Sequence, residues 1–297
     1  MIKKSVNDLK GGEVLAGDVV WDHKVILPEG CVLKNEYIDI LRELGVTSVS
    51  IMDESVENDK EEIDRYNQWE HMLKDVSEVL GRHMYIHDQN RLQILRNVVD
   101  EIIETYEHVT DFTLKEKYLE ARTRDLYEHS FSVCCLSISV ALKMNLEKQF
   151  IKELGLGCLL HDIGIRCMEN DYISMDVENM EEHVIKEYHK HPVYGCSMFL
   201  QDKSLPEVTT NVILHHHERL DGSGYPMQLK ELSLESRIVA VCEVFDEMIS
   251  GIACNKRSAT EAVKYLEENK GKLFDERIVD LFLEFVELDD KAQKLCI

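Results

Sequence analysis

Histidines and acidic side chains recur in the second half of this sequence, next to apolar helical runs. Eight of the thirteen histidines fall between His129 and His217, and two acidic residues follow within a strongly apolar stretch. The candidate residues are His129, His161, Asp162, His191, His216, His217, Glu243 and Asp246, of which His191 follows a charged helix and the others lie in or beside apolar runs. Imidazole and carboxylate together suit iron, manganese or zinc, and a carboxylate can bridge two ions. Two neighbouring ions can activate a shared water for displacement at phosphorus.

Each of these residues has an ordinary explanation when it is taken alone. A single His129 is typical of a helix surface or a satisfied core position, and His161-Asp162 is typical of a helix C-terminus. A carboxylate inside a core helix, as predicted for Glu243, is costly unless it is paired or binds a metal. Order and spacing together therefore favour a metal-dependent phosphohydrolase.

Five segments match a known pattern in order. They are His129, then His161-Asp162-Ile163-Gly164, then His191-Pro192, then the segment HHERLDGSGYP from His216 to Pro226, then Ser236 to Asp246. This arrangement resembles the HD-GYP family of the HD phosphohydrolase superfamily over about residues 120–285.

The resemblance implies an all-helical domain that holds two or three divalent transition metals, usually iron or manganese, and hydrolyses cyclic di-GMP to linear pGpG or GMP. It implies that one ion is held by His129, His161, Asp162 and Glu243, and that Asp162 bridges to a second held by His191, His216 and His217. His161 and Asp162 are the predicted catalytic pair, with a metal-bridging hydroxide as nucleophile. Some members place a glutamate for a third ion where this chain has Asp125.

The candidates for substrate binding are Tyr225, Arg219 and Asp246. Three departures from the family fall near these positions. Ile165 replaces a phosphate-binding lysine, the segment Ile252-Ala253-Cys254-Asn255 lacks two further cations, and Glu243 replaces a ligand aspartate. Each lost charge-assisted phosphate contact removes roughly 1.5–3 kcal/mol.

These departures leave three functions open. The first is a phosphodiesterase for cyclic di-GMP or a related cyclic dinucleotide. The second is a phosphohydrolase for another nucleotide or phosphoester. The third is a degenerate signalling module that binds a partner such as a diguanylate cyclase, with little or no turnover.

Composition narrows the set of partners and the location. The formal charge of −23, from 34 basic and 57 acidic side chains, disfavours a DNA or RNA duplex as a partner. The nine cysteines form no CxxC pair and read as reduced, mostly buried thiols. We find no apolar run of the roughly 18 residues that span a bilayer and no signal peptide, so we expect a cytoplasmic protein without membrane association.

The patterning predicts a mainly α fold in three parts. Residues 1–55 form a small β-rich module, 56–115 a helical linker region, and 116–290 the all-helical HD-type domain. Within the linker, Trp69, Met72, Val76 and Leu80 repeat at helical spacing. A long helix in this region either packs intramolecularly or pairs with its copy in a homodimer.

Overall fold

The computed structural model describes residues 2–6, 9–10, 13–21, 24–28, 30–31, 33–46, 48–51, 60–81, 89–107, 114–115, 124–199 and 205–288. The chain forms two compact units, Met1–His71 and Met72–Ile297. The predicted three-part division at residues 55 and 115 stays a prediction.

The first unit contains two small antiparallel sheets and a helix. Its elements are β1 (Ile2–Ser5), β2 (Val19–Trp21), β3 (Lys24–Leu27), α1 (Asn35–Glu43) and β4 (Ser48–Ile51). Strand β1 pairs with β4, and β2 pairs with β3. Ile38 and Leu41 lie three residues apart on one face of α1, and both enter a core with Leu15, Leu33 and Val49. The β-rich prediction is confirmed, although β1 was not predicted, because two of its four residues are lysines.

Helices form nearly all the regular structure that follows. The helices are α2 (Lys60–Gly81), α3 (Gln89–Glu107), α4 (Leu126–Lys143), α5 (Lys148–Leu160), α6 (Glu182–Tyr188), α7 (His191–Ser197), α8 (Glu207–His215), α9 (Leu234–Ser250), α10 (Ala259–Asn269) and α11 (Glu276–Leu283). Two short strands, β5 (Leu114–Lys115) and β6 (Val286–Glu287), lie before α4 and after α11. Three short 3₁₀ helices, Ile163–Cys167, Tyr172–Ser174 and Val177–Asn179, connect α5 to α6. The mainly α prediction is confirmed. In the described part of the chain, every helix is too short or too polar to cross a bilayer.

Helix α4 is the central element of the second unit. It is apolar on nearly all sides and contacts α3, α5, α9 and α11, as expected of a helix that is surrounded by others. Asp125 caps its N-terminus, because Oδ1 accepts the N–H groups of Tyr127 and Glu128 at 2.9 and 2.8 Å. The cap sets where the helix begins and therefore places His129 in its first turns.

Helix α3 packs within the chain. Val99, Ile102 and Ile103 are at most 1% exposed, and α3 contacts α4 and α5. For this helix the structure supports the intramolecular alternative, while the homodimer stays a prediction.

Two glycines allow the close approaches that assemble the site. A Cβ added at Gly157 in α5 would lie 2.6 Å from Val212 Cβ in α8. A Cβ at Gly164 would lie 1.9 Å from the His191 carbonyl oxygen and 2.5 Å from Gly195 N. Backbone cannot yield as a flexible side chain can, so only glycine lets the turn after Asp162 rest on α7.

We therefore expect Gly164→Ala to destabilise the fold by about 1–3 kcal/mol or more, the usual cost of overpacking. Urea unfolding followed by far-UV circular dichroism measures the effect as a lower midpoint. Gly81→Ala is the control, because its Cβ would lie at 3.6 Å from the nearest atom, Tyr127 Oη. Equal midpoints for the two variants would contradict the close approach.

Candidate metal centre

The predicted ligands come from five helices or their ends and meet inside the second unit. Helix α4 supplies His129, the end of α5 supplies His161 and Asp162, α7 begins with His191, α8 ends at His216 and His217, and α9 supplies Glu243. None of the seven side chains is more than 4% exposed. Charged and polar groups buried to this degree need partners.

The seven residues form two groups that share Asp162. The first is His129, His161, Asp162 and Glu243, and the second is Asp162, His191, His216 and His217; within each, one ligand atom per residue lies within 4.8 Å of the others. Asp162 Oδ2 lies 3.5 Å from His161 Nε2, and Oδ1 lies 3.2 Å from His191 Nε2. Each oxygen of one carboxylate thus faces a different group.

Backbone carbonyls orient three of the imidazoles. His161 Nδ1 donates to Cys158 O at 2.6 Å, His191 Nδ1 to Tyr188 O at 2.9 Å, and His216 Nδ1 to Ile213 O at 3.0 Å. A carbonyl only accepts, so each Nδ1 carries a hydrogen, and in the neutral imidazole each Nε2 turns a lone pair toward the centre. The Nε2 atoms of His191 and His216 are only 3.0 Å apart. Two lone pairs at this distance repel unless a metal ion or a proton lies between them.

Several buried polar atoms at the centre are unpaired. Asp162 Oδ1, His217 Nε2 and Glu243 Oε2 have no hydrogen-bond partner of acceptable geometry among the described residues. Such atoms cost on the order of 1–3 kcal/mol each. Mixed nitrogen and oxygen donors suit divalent transition metals, so the residues present fit such ions.

A carboxylate, that of Asp246, orients the imidazole of His129 through its Nδ1 atom. His129 Nδ1 lies 2.7 Å from Asp246 Oδ2, and its Nε2 lies 3.2 Å from Glu243 Oε1. Burial lowers the pKa of His129, but the carboxylates of Glu243 and Asp246 outweigh it and raise this pKa well above its ordinary value. Asp246, predicted to bind substrate, is fully buried and placed to orient His129.

The two adjacent histidines at the end of α8 are held neutral. Burial lowers the pKa of His216 to about 4. Burial also lowers the pKa of His217 well below its ordinary value, and the neighbouring imidazoles of His216 and His191 lower it further. Neutral imidazole is the form that binds metals.

Tyr225 is stacked between two imidazoles. Its ring lies 3.7 Å from the His189 ring at 10° and 4.5 Å from the His217 ring at 24°. Two rings at these distances would overlap if they shared one face of Tyr225, so they cover opposite faces. Tyr225 therefore has its edge and hydroxyl, rather than a free face, to offer a substrate.

A buried glutamate shapes the loop that carries Tyr225. The Glu218 carboxylate is fully buried and accepts the N–H groups of Met227 at 2.5 Å and Leu229 at 2.9 Å. Tyr225 N donates to His217 O at 3.2 Å. The sequence predicted no role for Glu218, although an acidic residue that follows an apolar run could have indicated one.

Two predicted residues are not brought to the ligand groups. Asp125 is exposed and its Oδ1 caps α4. Arg219 Nη1 donates to the carbonyls of His216 and Glu218 at 3.2 and 3.0 Å, and its Cζ lies 5.1 Å from the centre of the Phe274 ring. The Oδ1 of Asp125 therefore serves to cap α4, whereas the predicted substrate contact by Arg219 stays a prediction.

Sequence reasoning missed Glu247, one turn beyond Glu243 in α9. Its carboxylate lies within 4.8 Å of ligand atoms of His217 and Glu243. Burial and then the charge of Glu243 raise the pKa of Glu247 well above its ordinary value. The spacing of four residues places both glutamates on one helix face and could have identified it.

Two of the three departures from the family pattern, Ile165 and the start of the segment Ile252–Asn255, lie in an apolar cluster beside Tyr225, while Glu243 is one of the candidate ligands. Ile165, Ile252 and Ala253 are buried in one apolar cluster with Leu126, Tyr172, Val177 and Tyr188, and Tyr225 packs against it. Asn255 donates a hydrogen bond to Asp176 on the surface. This wall of the site is apolar.

Comparison with known families places the chain in one class. The HD domain model matches residues 113–278, which include every residue of both ligand groups. The chain therefore belongs to the HD domain family, and its similarities to named relatives fall in the HD-GYP type.

Two curated relatives are identical to this chain at about a third of the aligned positions. The chain is 32% identical over 195 residues to the cyclic di-GMP phosphodiesterase PA4108 of Pseudomonas aeruginosa, covering 64% of this chain and 46% of that protein. It is 29% identical over 221 residues to a cyclic di-GMP phosphodiesterase of Thermotoga maritima, covering 72% of this chain and 60% of that protein. The chain thus spans about half the length of these relatives. The solved structure of Bd1817, an HDG"Y"P protein of Bdellovibrio bacteriovorus, matches 95% of this chain and 97% of its own at 20% identity, with a TM-score of 0.48.

We expect removal of divalent ions to destabilise the second unit. Saturation of one site at a hundred times its Kd contributes about 2.7 kcal/mol, so chelation should lower the melting temperature by about 5 °C or more. Circular dichroism melts of chelated and Mn²⁺-reloaded chain measure this shift. Asp162→Ala, which removes the shared ligand, should shrink it. Identical melts for chelated and reloaded wild-type chain would contradict ion binding at the two groups.

Proposed function

We propose that this chain is a metal-dependent phosphodiesterase that cleaves cyclic dinucleotides such as cyclic di-GMP. The observation that carries the proposal is the pair of buried ligand groups that share the Asp162 carboxylate. Adjacent divalent sites joined by one carboxylate are suited to phosphoryl chemistry. The two curated relatives named above are cyclic di-GMP phosphodiesterases, which supports the choice of substrate.

In this proposal, each group holds one ion, with iron or manganese preferred by the mixed histidine and carboxylate donors. When bound, such ions supply an activated water and offset the charge that develops on the phosphoryl oxygens. Asp162 and Asp246 have positioning roles: Asp162 fixes the spacing of the two groups, and Asp246 holds the ring of His129.

Tyr225 is the proposed substrate contact. Loss of solvent around the hydroxyl, and next the charge of Glu247, raise the pKa of Tyr225 well above its ordinary value. The hydroxyl therefore keeps its proton and can donate a hydrogen bond to a phosphate oxygen. The stacked rings of His189 and His217 hold it in place.

A second candidate is hydrolysis of another phosphoester. It is favoured by the apolar cluster that contains Ile165 and Ile252, because the described residues of this cluster carry no cation for the second phosphate of a cyclic dinucleotide. Binding of a signalling partner without turnover is the third alternative.

Hydrolysis assays separate these functions. We expect the Mn²⁺- or Fe²⁺-loaded chain to cleave cyclic di-GMP, and Asp162→Ala and His161→Ala to reduce turnover to background, because each removes a proposed ligand. Asp280→Ala is the control, since its carboxylate forms an exposed ion pair with Lys270. Parallel assays use cyclic GMP-AMP and bis(p-nitrophenyl) phosphate.

Turnover of bis(p-nitrophenyl) phosphate but of neither cyclic dinucleotide would replace the leading substrate with the second candidate. Bound ions with no turnover of any of the three would favour the signalling module. Full activity in Asp162→Ala would place the chemistry elsewhere.

Tyr225 provides a test of the substrate side. Tyr225→Phe keeps the stacking and loses only the hydroxyl, so kcat/KM should fall about tenfold to a hundredfold, the equivalent of one hydrogen bond to a charged group. Metal content, measured by inductively coupled plasma mass spectrometry, should not change. Tyr225→Ala also removes the ring that supports His217 and should lower both quantities. Wild-type kcat/KM in Tyr225→Phe would remove the hydroxyl from substrate binding.

A further inference from the structure

Tyr188 ends α6, and its ring lies in the apolar cluster beside Tyr225. We propose that the Tyr188 hydroxyl donates a hydrogen bond to a phosphate oxygen of the substrate and is a second substrate contact beside the Tyr225 hydroxyl. The inference rests on the proposed function, because it takes a phosphate bound at the two ligand groups as given.

The Tyr188 hydroxyl is buried and unpaired. The residue is 4% exposed, and its Oη has no hydrogen-bond partner among the described residues. Folded proteins pair nearly all of their buried hydroxyls, because an unpaired one has lost its hydrogen bonds to water without replacement. Tyr172, which is 1% exposed in the same cluster, follows this rule, since its Oη accepts a hydrogen bond from Asn170 Nδ2 at 3.2 Å. Tyr188 therefore presents a donor that the described part of the chain leaves without an acceptor.

Contacts of the ring place Tyr188 against the candidate metal centre. Its ring centre lies 4.8 Å from that of His191, 6.3 Å from that of His217 and 6.5 Å from that of Tyr225. The backbone of the same residue belongs to the site as well, because Tyr188 O accepts the Nδ1 hydrogen of His191 at 2.9 Å. Tyr188 is therefore held at a fixed position beside the second ligand group.

The carboxylates of the centre act on this hydroxyl. Loss of solvent, then Tyr225 and the carboxylate of Glu247, raise the pKa of Tyr188 well above its ordinary value, and Asp162 and Glu243 add to the effect. After loss of solvent, the same three carboxylates also raise the pKa of Tyr225. Both hydroxyls therefore lie near one set of carboxylates. A tyrosine hydroxyl carries its proton at neutral pH in any case, so each can donate a hydrogen bond there.

A phosphate oxygen is the acceptor that fits this position. In the proposed function, the carboxylates of the centre bind ions, and the acceptor that remains is the phosphoryl group that these ions attract. Ile165 and Ile252 are 4% and 0% exposed in the cluster around Tyr188, and its described residues carry no cation. In such surroundings a hydrogen bond from a neutral hydroxyl to a charged oxygen is stronger than in water. Two tyrosines can thus bind a phosphate beside a wall that offers it no charge.

The unpaired hydroxyl has opposite effects on stability and on binding. A buried donor without a partner destabilises the fold of the free chain. Active sites commonly keep groups that lower stability and serve function. Removal of this hydroxyl should therefore weaken phosphate binding without weakening the fold, a separation that a merely structural hydroxyl would not give.

Tyr188→Phe tests the contact, because it removes only the hydroxyl. Full-length chain is loaded with Mn²⁺, freed of excess ion and titrated with inorganic phosphate by isothermal titration calorimetry. We expect the Kd for phosphate to rise about tenfold to a hundredfold, the equivalent of one hydrogen bond to a charged group. Mn²⁺ content, measured by inductively coupled plasma mass spectrometry, should not change. Urea unfolding of the metal-free chain should give the wild-type midpoint or a higher one.

Tyr172→Phe is the matched control. It removes a hydroxyl from the same cluster, but one that is paired with Asn170. We expect a lower urea midpoint for this variant, together with the wild-type Kd for phosphate.

Three results would overturn the contact. Wild-type phosphate affinity in Tyr188→Phe would do so and leave the proposed function in place, since the ligand groups and Tyr225 are untouched. A lower urea midpoint in metal-free Tyr188→Phe would show that the hydroxyl has a partner within the chain. If Mn²⁺-loaded wild-type chain bound no phosphate, the proposed function would fail together with the contact.

Discussion

The structure of the second unit depends on how its buried imidazoles are oriented. Carbonyls at or beside helix ends take the Nδ1 hydrogens of His161, His191 and His216, and a carboxylate takes that of His129. Every Nε2 then turns inward, toward the same small volume. A purely structural core would not gather lone pairs that repel each other. A positive charge at the centre, carried by a metal ion or by protonated imidazoles, offsets this repulsion.

The fold supplies this orientation through the ends of helices. A residue at the last turn of α5 or α8 can reach back to carbonyls that have no partner in their own helix, and His161 and His216 both do so. Helix α7 begins with His191, and the glycine at position 164 lets the turn after Asp162 touch it. The same unpaired carbonyls that end the helices therefore select the tautomer of the candidate ligands.

Much of this was predictable, because the signals were local. Alternating and 3.6-residue patterns predicted a β-rich module and a helical domain, and the order of five motifs predicted which side chains converge. The features that could not be predicted depend on the direction in which a side chain points. Asp125 is one turn from His129, yet a residue that precedes a helix caps its N–H groups rather than pointing along it. Arg219 follows the candidate ligand histidines, and the sequence does not indicate that its guanidinium donates back to the carbonyl of His216.

Glu218 and Glu247 show the complementary limit. Both are acidic residues beside apolar runs in an acidic chain, and composition alone favours a solvated surface for each. Burial decides otherwise: Glu218 is fully enclosed and pairs with two N–H groups of the loop, which is the geometry that a buried carboxylate requires. Glu247 lacks such partners among the described residues, and this difference marks one glutamate as structural and the other as a candidate ligand.

His217 links the two sides of the site. One face of its ring supports Tyr225, while its Nε2 is among the unpaired atoms of the centre. Because interiors are densely packed, a tilt of the His217 ring that moves Nε2 also moves the ring face that supports Tyr225. In the proposed function, ion binding and the position of the Tyr225 hydroxyl would therefore be coupled through one side chain. An ion that reorients His217 would also move Tyr225, so the occupancy of the centre would affect the proposed substrate contact.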